Sequence, residues 1–315
     1  MLGSIRKVIA ATLFLAAFAS GAAHAQTKIA LGVTSAASWS TAFIAADQGF
    51  FAKHNIDAAI TILALNPQIP AAIQSGSLQI GGITPAGMMQ AIDGDLDLVA
   101  VAGGIVTANK ATRQGTGTGL LVRAGFDFKS AQDLVGKKIG VPGIGSGLDV
   151  QFRLWLKAQG VDHRKVSFVE LAFPQQSDAL KAGIVDGAVS IDPFLTRTLD
   201  AKTGTLAVDF LQTGDDGILN GVYAATRQWA EANAQAARDF RQALADGYDF
   251  QIAHPDEARA IVGKFLKLPP QVVATMTLFT MERDVRGAQL QYWADAMADQ
   301  GWIKKIADAS KFVFH

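Results

Sequence analysis

Short apolar runs alternate with amphipathic stretches along most of the chain. Lys28 to Val33 alternates and is rich in Ile, Leu and Val, which predicts a strand. Ser40 to Gln48 predicts a helix, with Gly49 as its stop. Ile60 to Leu65 predicts a second strand, Pro67 to Ser75 a helix ended by Gly76, and Leu78 to Gly82 a third strand. Thr84-Pro85 opens the next helix, with Thr as N-cap and Pro at the first helical position. Leu96 to Ala102 predicts a further buried strand. Strands alternating with helices define an α/β class with mostly parallel sheets.

Thr107 to Gly119 breaks this pattern and predicts a crossover between two lobes. A second α/β run follows: strands at Gly119 to Val122, Lys138 to Val141, Val166 to Leu171 and Gly187 to Ile191. Its helices are predicted at Ser130 to Leu134, Leu148 to Gln159, Gln175 to Ala182 and Pro193 to Asp200. From Gln228 the chain reads as almost all helical, with Pro255, Pro269 and Pro270 at helix starts, and this tail is expected to pack on the first lobe. Residues 26–106 with 222–315 are assigned to lobe I and 107–221 to lobe II. Ala72 to Pro85 and Ala179 to Pro193 share one order: helix, glycine stop, strand, cap, proline, helix. Either any two βα units look alike, or the lobes are pseudo-equivalent and each turns a helix N-terminus to one cleft.

Composition narrows the chemistry. With 315 residues, 50% hydrophobic and 18% charged, the chain can bury roughly three quarters of its unfolded surface and is not disordered. Cys is absent, which excludes thiolate metal sites, thiol nucleophiles and disulfides. Lys+Arg and Asp+Glu are both 28, so no net field would hold nucleic acid or an acidic membrane. Arg6 and Lys7, an apolar run from Val8 to Ala19 and the Ala23-His24-Ala25 pattern predict a signal peptide over 1–25, cleaved before Gln26. The expected mature chain is a soluble periplasmic protein with 26 basic and 28 acidic residues.

No catalytic or metal constellation is legible. His54, His163 and His254 are widely spaced and read as solvated surface residues. Asp215-Asp216 sits in a turn-like context. Gly143-Ile144-Gly145-Ser146-Gly147 fails as a nucleophile elbow, a dinucleotide fingerprint and a phosphate loop. No catalytic residue, metal or cofactor is assigned. Helix N-termini remain. Ser146 is a candidate N-cap, with Asp149 completing a capping-box-like pair, and unpaired N–H groups there can bind an anion. Thr84 and Pro85 offer the same chemistry in the first lobe, and both could equally be ordinary caps. Ser35, Ser38 and Trp39 follow the first strand, where open α/β sheets bind ligands, although Trp39 could also be core. Phe173 could be a ligand wall or packing, and Asp192 could simply cap its helix. The four remaining tryptophans read as core.

Three segments carry a family resemblance. Asp47-Gln-Gly49-Phe50-Phe51-Ala-Lys53-His-Asn-Ile56-Asp57, Ser130 to Val141 and Ala182 to Phe194 resemble, in order and spacing, motifs of ABC-transporter periplasmic substrate-binding proteins. The subgroup binds aliphatic sulfonates, taurine, nitrate or thiamine-pyrimidine precursors. Asn55 stands where that family often has glycine or glutamate, and Gly103-Gly104 matches no single ligand class. The resemblance implies a bilobed type II periplasmic-binding-protein fold, two α/β lobes joined by hinge strands, with a ligand in the interlobe cleft. It carries over as ligand contacts Ser35, Ser38, Trp39, Thr84, Pro85, Ser146, Gly147 and Asp192, and Gly104 and Phe173 are candidate contacts beside them, although Phe173-Pro174-Gln175 also matches no single ligand class. The implied function is capture of a small organic anion, sulfonate or carboxylate, by a monomeric receptor that serves an ABC permease in the inner membrane. The alternatives are a ligand sensor for a membrane receptor and a precursor synthase-like enzyme on the same fold.

Overall fold

Two five-stranded sheets organise the computed structural model, which describes residues 26–107, 116–212 and 217–315. The segment read as a signal peptide, part of the crossover and Asp215-Asp216 lie outside the described residues. The first run forms β1 (Thr27–Thr34), α1 (Ser40–Asp47), α2 (Phe50–Lys53), β2 (Ile56–Leu63), α3 (Gln68–Gln74), β3 (Ile80–Ile83), α4 (Pro85–Asp93) and β4 (Leu98–Gly103). The second forms β5 (Thr118–Arg123), β6 (Lys138–Val141), α5 (Gly147–Ala158), β7 (Ser167–Glu170), α6 (Gln176–Lys181), β8 (Gly187–Ile191), α7 (Phe194–Asp200) and β9 (Gly204–Val208). The chain then returns through β10 (Val222–Thr226) to α8 (Arg227–Ala232), α9 (Ala234–Ala253), α10 (Pro255–Leu266), α11 (Pro270–Thr275) and α12 (Gly287–Asp299).

The sheet orders are β2-β1-β3-β10-β4 and β7-β6-β8-β5-β9. In the first, β1 is parallel to β2 and β3, while β10 runs antiparallel to β3 and β4. The second repeats this with β6, β7 and β8 parallel and β5 antiparallel to β8 and β9. Each sheet's antiparallel strand is therefore the one that enters from the other lobe. The sequence echo falls on equivalent units, because β3 and β8 are both central strands. The two crossings pair with each other: Thr107 N–H donates to Ile218 O at 2.9 Å, and Asn220 N–H to Ile105 O at 2.7 Å. A Cβ at Gly104 would lie 2.5 Å from Gly221 O, so only glycine permits that approach.

Several expectations are corrected. The second strand starts at Ile56 rather than Ile60, drawn into register by β1. β9 and β10 occupy a stretch with no predicted element. The tail is not continuously helical: residues 276–286 lack helix, with Met281 bridged to Ile105 and Glu282 N–H donating to Gly104 O at 2.7 Å. The tail does cover the first sheet. Phe43 stacks on Phe265 and Phe51 on Phe240, with centroids 5.0 and 5.5 Å apart. Trp293 of α12 is fully buried and donates to Leu219 O. Trp155, Trp229 and Trp302 are only partly buried against the cores. Among the described residues no helix is long and apolar enough to cross a membrane.

Candidate ligand-binding cleft

The carboxyl ends of both parallel strand sets face one cavity of about 160 Å³. A cavity near this volume accepts a benzene-sized guest. The first sheet contributes Thr34 at the end of β1, Asn66 after β2 and Thr84 after β3. The second contributes Ser146 and Gly147 after β6, Phe173 after β7 and Ile191 at the end of β8. The crossings add Thr107 and Asn220, and the non-helical part of the tail adds Thr277 to Thr280. The polar groups that the described residues bring to this wall are hydroxyls, carboxamides and the Trp39 indole N–H, with no ionisable side chain among them.

Six sequence-predicted residues line the cavity: Ser38, Trp39, Thr84, Ser146, Gly147 and Phe173. Four do not. Ser35 is half-buried beside it, and Pro85 is buried as the first residue of α4. Gly104 packs against Gly221 in the hinge. Asp192 is 2% exposed and its carboxylate is fully engaged: Oδ1 accepts from Thr196 N and Oγ1, and Oδ2 accepts from Thr277 N. These bonds tie α7 to the tail. Asn66, Gln151, Asn220 and the 277–280 segment escaped sequence reasoning. Gln151 had a signal, since it lies one turn beyond Gly147 on the same face of α5.

The N-terminus of α5 differs from the capping box expected there. Ser146 occupies the cap position, but its side chain makes no cap bond, and Oγ is buried without a partner. Asp149 turns away: Oδ2 accepts from Gly145 N at 2.9 Å and Oδ1 from Arg153 Nε at 2.7 Å. Burial raises the Asp149 carboxyl above its usual range, against the opposing pull of Arg153. Gly147 N–H donates across the cleft to Thr84 Oγ1 at 3.1 Å, which also accepts from Gly87 N at 3.2 Å. One hydroxyl thus caps helices of both lobes. Val150 N–H already reaches Ser146 O. Leu148 and Asp149 keep N–H groups that have no acceptor within the helix.

Behind this terminus, Arg153 lies over the Phe168 ring at 3.7 Å and 5.0 Å from the Trp302 ring of the tail. Its Nη1 is 3.2 Å from His163 Nδ1, and burial followed by the Arg153 charge lowers that imidazole below its ordinary range. His54 Nε2 lies 3.0 Å from Asp246. Neither histidine is the solvated side chain that its sequence context suggested. Among the described residues no group of three or more His, Asp or Glu is placed to hold a metal.

Paired sheets that open their carboxyl ends onto one cleft, linked by two crossings, define a periplasmic-binding-protein fold. The sequence profile described as NMT1/THI5 like matches residues 37–258, and the chain belongs to that family. The chain is 26% identical over 274 residues to a Brucella abortus (strain 2308) protein described only as a binding protein, covering 83% of this chain and 81% of that one. It is 24% identical to the formylaminopyrimidine-binding protein of Halalkalibacterium halodurans over 69% of this chain and 63% of that protein. Among solved structures, the alkanesulfonate-binding protein SsuA from Xanthomonas axonopodis pv. citri, bound to MOPS, superposes with a TM-score of 0.77 at 19% identity, over 91% and 98% of the two chains. The nitrate-binding protein NrtA from Synechocystis PCC 6803 gives 0.75 at 16% identity, over 91% and 84%.

Proposed function

We propose that this protein is an extracytoplasmic solute receptor that captures a small organic anion, sulfonate or carboxylate, and delivers it to an ABC importer permease. The observation that carries the reading is the cavity between the two sheets, with Ser146 Oγ left unpartnered at the start of α5. An acidic head at this terminus accepts from the Ser146 hydroxyl and from the free N–H groups of Leu148 and Asp149. Hydrogen bonds to a charged group contribute about 1.5–3 kcal/mol each. The helix dipole adds up to about 2 kcal/mol. Together these offset a desolvation cost of several kcal/mol. Asp149 does not oppose the anion, because Arg153 neutralises it. Trp39 and Phe173 cover the apolar body. The fold relatives that bind alkanesulfonate or nitrate, and the relative named for formylaminopyrimidine, set the panel to try.

The test is a thermal-shift titration with matched acids and amides, such as 4-hydroxybenzenesulfonate against 4-hydroxybenzenesulfonamide and 4-hydroxybenzoate against 4-hydroxybenzamide, with nitrate, MOPS and a formylaminopyrimidine alongside. A ligand at 100 times its Kd adds about 2.7 kcal/mol, which is roughly a few degrees of Tm in a protein of this size. The expected result is a saturable shift from an organic acid and a smaller one from its amide. An amide that shifts Tm as much as its acid rules out the anionic assignment.

A further inference from the structure

Gln151 is 6% exposed, lines the cavity, and its Oε1 has no hydrogen-bond partner. Its other amide atom is committed: Nε2 donates to Asn220 Oδ1 at 2.9 Å. Asn220 in turn donates through Nδ2 to Thr107 Oγ1 at 2.7 Å. This relay ties α5 to both crossings and leaves the carbonyl oxygen of a cavity-lining side chain without a partner. A buried acceptor is satisfied only by a donor. A bare oxyanion has none to offer, and its lone pairs would face those of Oε1. Ser146, 3% exposed, makes the opposite demand at the start of the same helix, where its unpartnered hydroxyl can donate. The two orphans lie five residues apart on one element, so an extended bifunctional molecule can meet both.

Resting on the receptor reading above, we infer that Gln151 determines specificity: the captured molecule carries, besides its acidic head, an N–H or O–H donor that bonds to Gln151 Oε1. Amino- or hydroxy-substituted organic acids fit this demand. Nitrate and unsubstituted alkanesulfonates do not.

The experiment incubates the protein with a small-molecule extract of bacterial cells, washes it, releases the bound compounds by heat, and identifies them by negative-ion mass spectrometry. Exchange into D2O counts exchangeable hydrogens remaining on the anion. The enriched compound should gain at least one deuterium. Gln151→Met should lower its enrichment at least tenfold. An enriched anion with no exchangeable hydrogen overturns the inference, even if Gln151→Met fails to fold. Undiminished capture by a folded Gln151→Met overturns it as well. Enrichment of nothing by the unmodified protein sinks the receptor reading itself, and the inference with it.

Discussion

Trp39 lines the cavity, yet it is only 3% exposed, donates through Nε1 to Thr34 Oγ1 at 3.0 Å and meets Tyr223 edge-on at 5.3 Å. A residue so enclosed is core as much as wall. Trp39→Ala should therefore cost about 3–5 kcal/mol of stability, read from urea unfolding. A loss below about 1 kcal/mol would show that the indole is a removable rim. Loss of binding in that variant cannot be separated from loss of fold, so Trp39→Phe is the better probe of affinity. Ser146 is the reverse case. Its hydroxyl caps nothing and is buried without a partner, so Ser146→Ala should leave ligand-free stability unchanged or raise it by about 1 kcal/mol. Affinity for the acid found by thermal shift should fall by about tenfold or more, because a hydrogen bond to a charged group contributes about 1.5–3 kcal/mol. A stability loss of about 1 kcal/mol would restore the ordinary capping role.

Among the elements, α9 is pinned to α2 by one carboxylate. Asp246 accepts from Lys53 Nζ at 2.7 Å, His54 Nε2 at 3.0 Å and Gln242 Nε2 at 3.1 Å. Burial alone would raise its pKa, but those bonds outweigh it and hold the carboxyl at about 2. A folded pKa below the unfolded value of 3.8 stabilises the protein above about pH 4, and that stability is lost as pH falls toward 2. Lys53 is largely exposed, so screening limits the contribution. Asp246→Asn should lose about 1 kcal/mol at pH 7, with the difference from wild type vanishing by about pH 2 in urea titrations. A gap that persists at pH 2 would mean that packing is lost instead of charge. Helices with local stop and start signals were legible from sequence, since α1 is closed by Gly49 and α10 opens at Pro255, whereas α2 of this clamp was not predicted. Those imposed by tertiary pairing were not. β10 reads Val-Tyr-Ala-Ala-Thr, and its alanines disfavour a strand until β3 and β4 flank it. Residues 276–286 contain neither Gly nor Pro, yet the hinge strand holds them out of helix, with Val106 N–H donating to Thr280 O at 3.0 Å. Of the cleft positions that sequence missed, Thr277 to Thr280 and Asn220 lie in that segment or in the crossings, while Asn66 follows β2 and Gln151 lies within α5. Those it found lie in loops that follow recognisable strands.

At the scale of the whole molecule, the lobes meet through polar contacts across the cleft, and one of these contacts shares its acceptor atom with a helix cap. Thr84 Oγ1 accepts from Gly87 N within its own lobe and from Gly147 N of the other. The first bond survives any opening of the lobes, whereas the second exists only when they are closed. Thr84→Val removes both while conserving volume, so two observables separate them. Loss of the α4 cap should lower unfolding stability by about 1 kcal/mol, whatever the ligand. Loss of the cross-cleft bond should penalise the closed state alone by about 1 kcal/mol. Apparent affinity scales with the fraction of closed, competent protein, so calorimetric Kd for the acid found by thermal shift should weaken about fivefold when that fraction is small. Thr84→Ser keeps the oxygen and should recover both quantities. Solution scattering of the ligand-free proteins provides the independent check: Thr84→Val should be no more compact than wild type, and more open wherever wild type is partly closed. A variant that loses stability but binds with unchanged Kd would show that the Thr84–Gly147 bond does not contribute to ligand-driven closure.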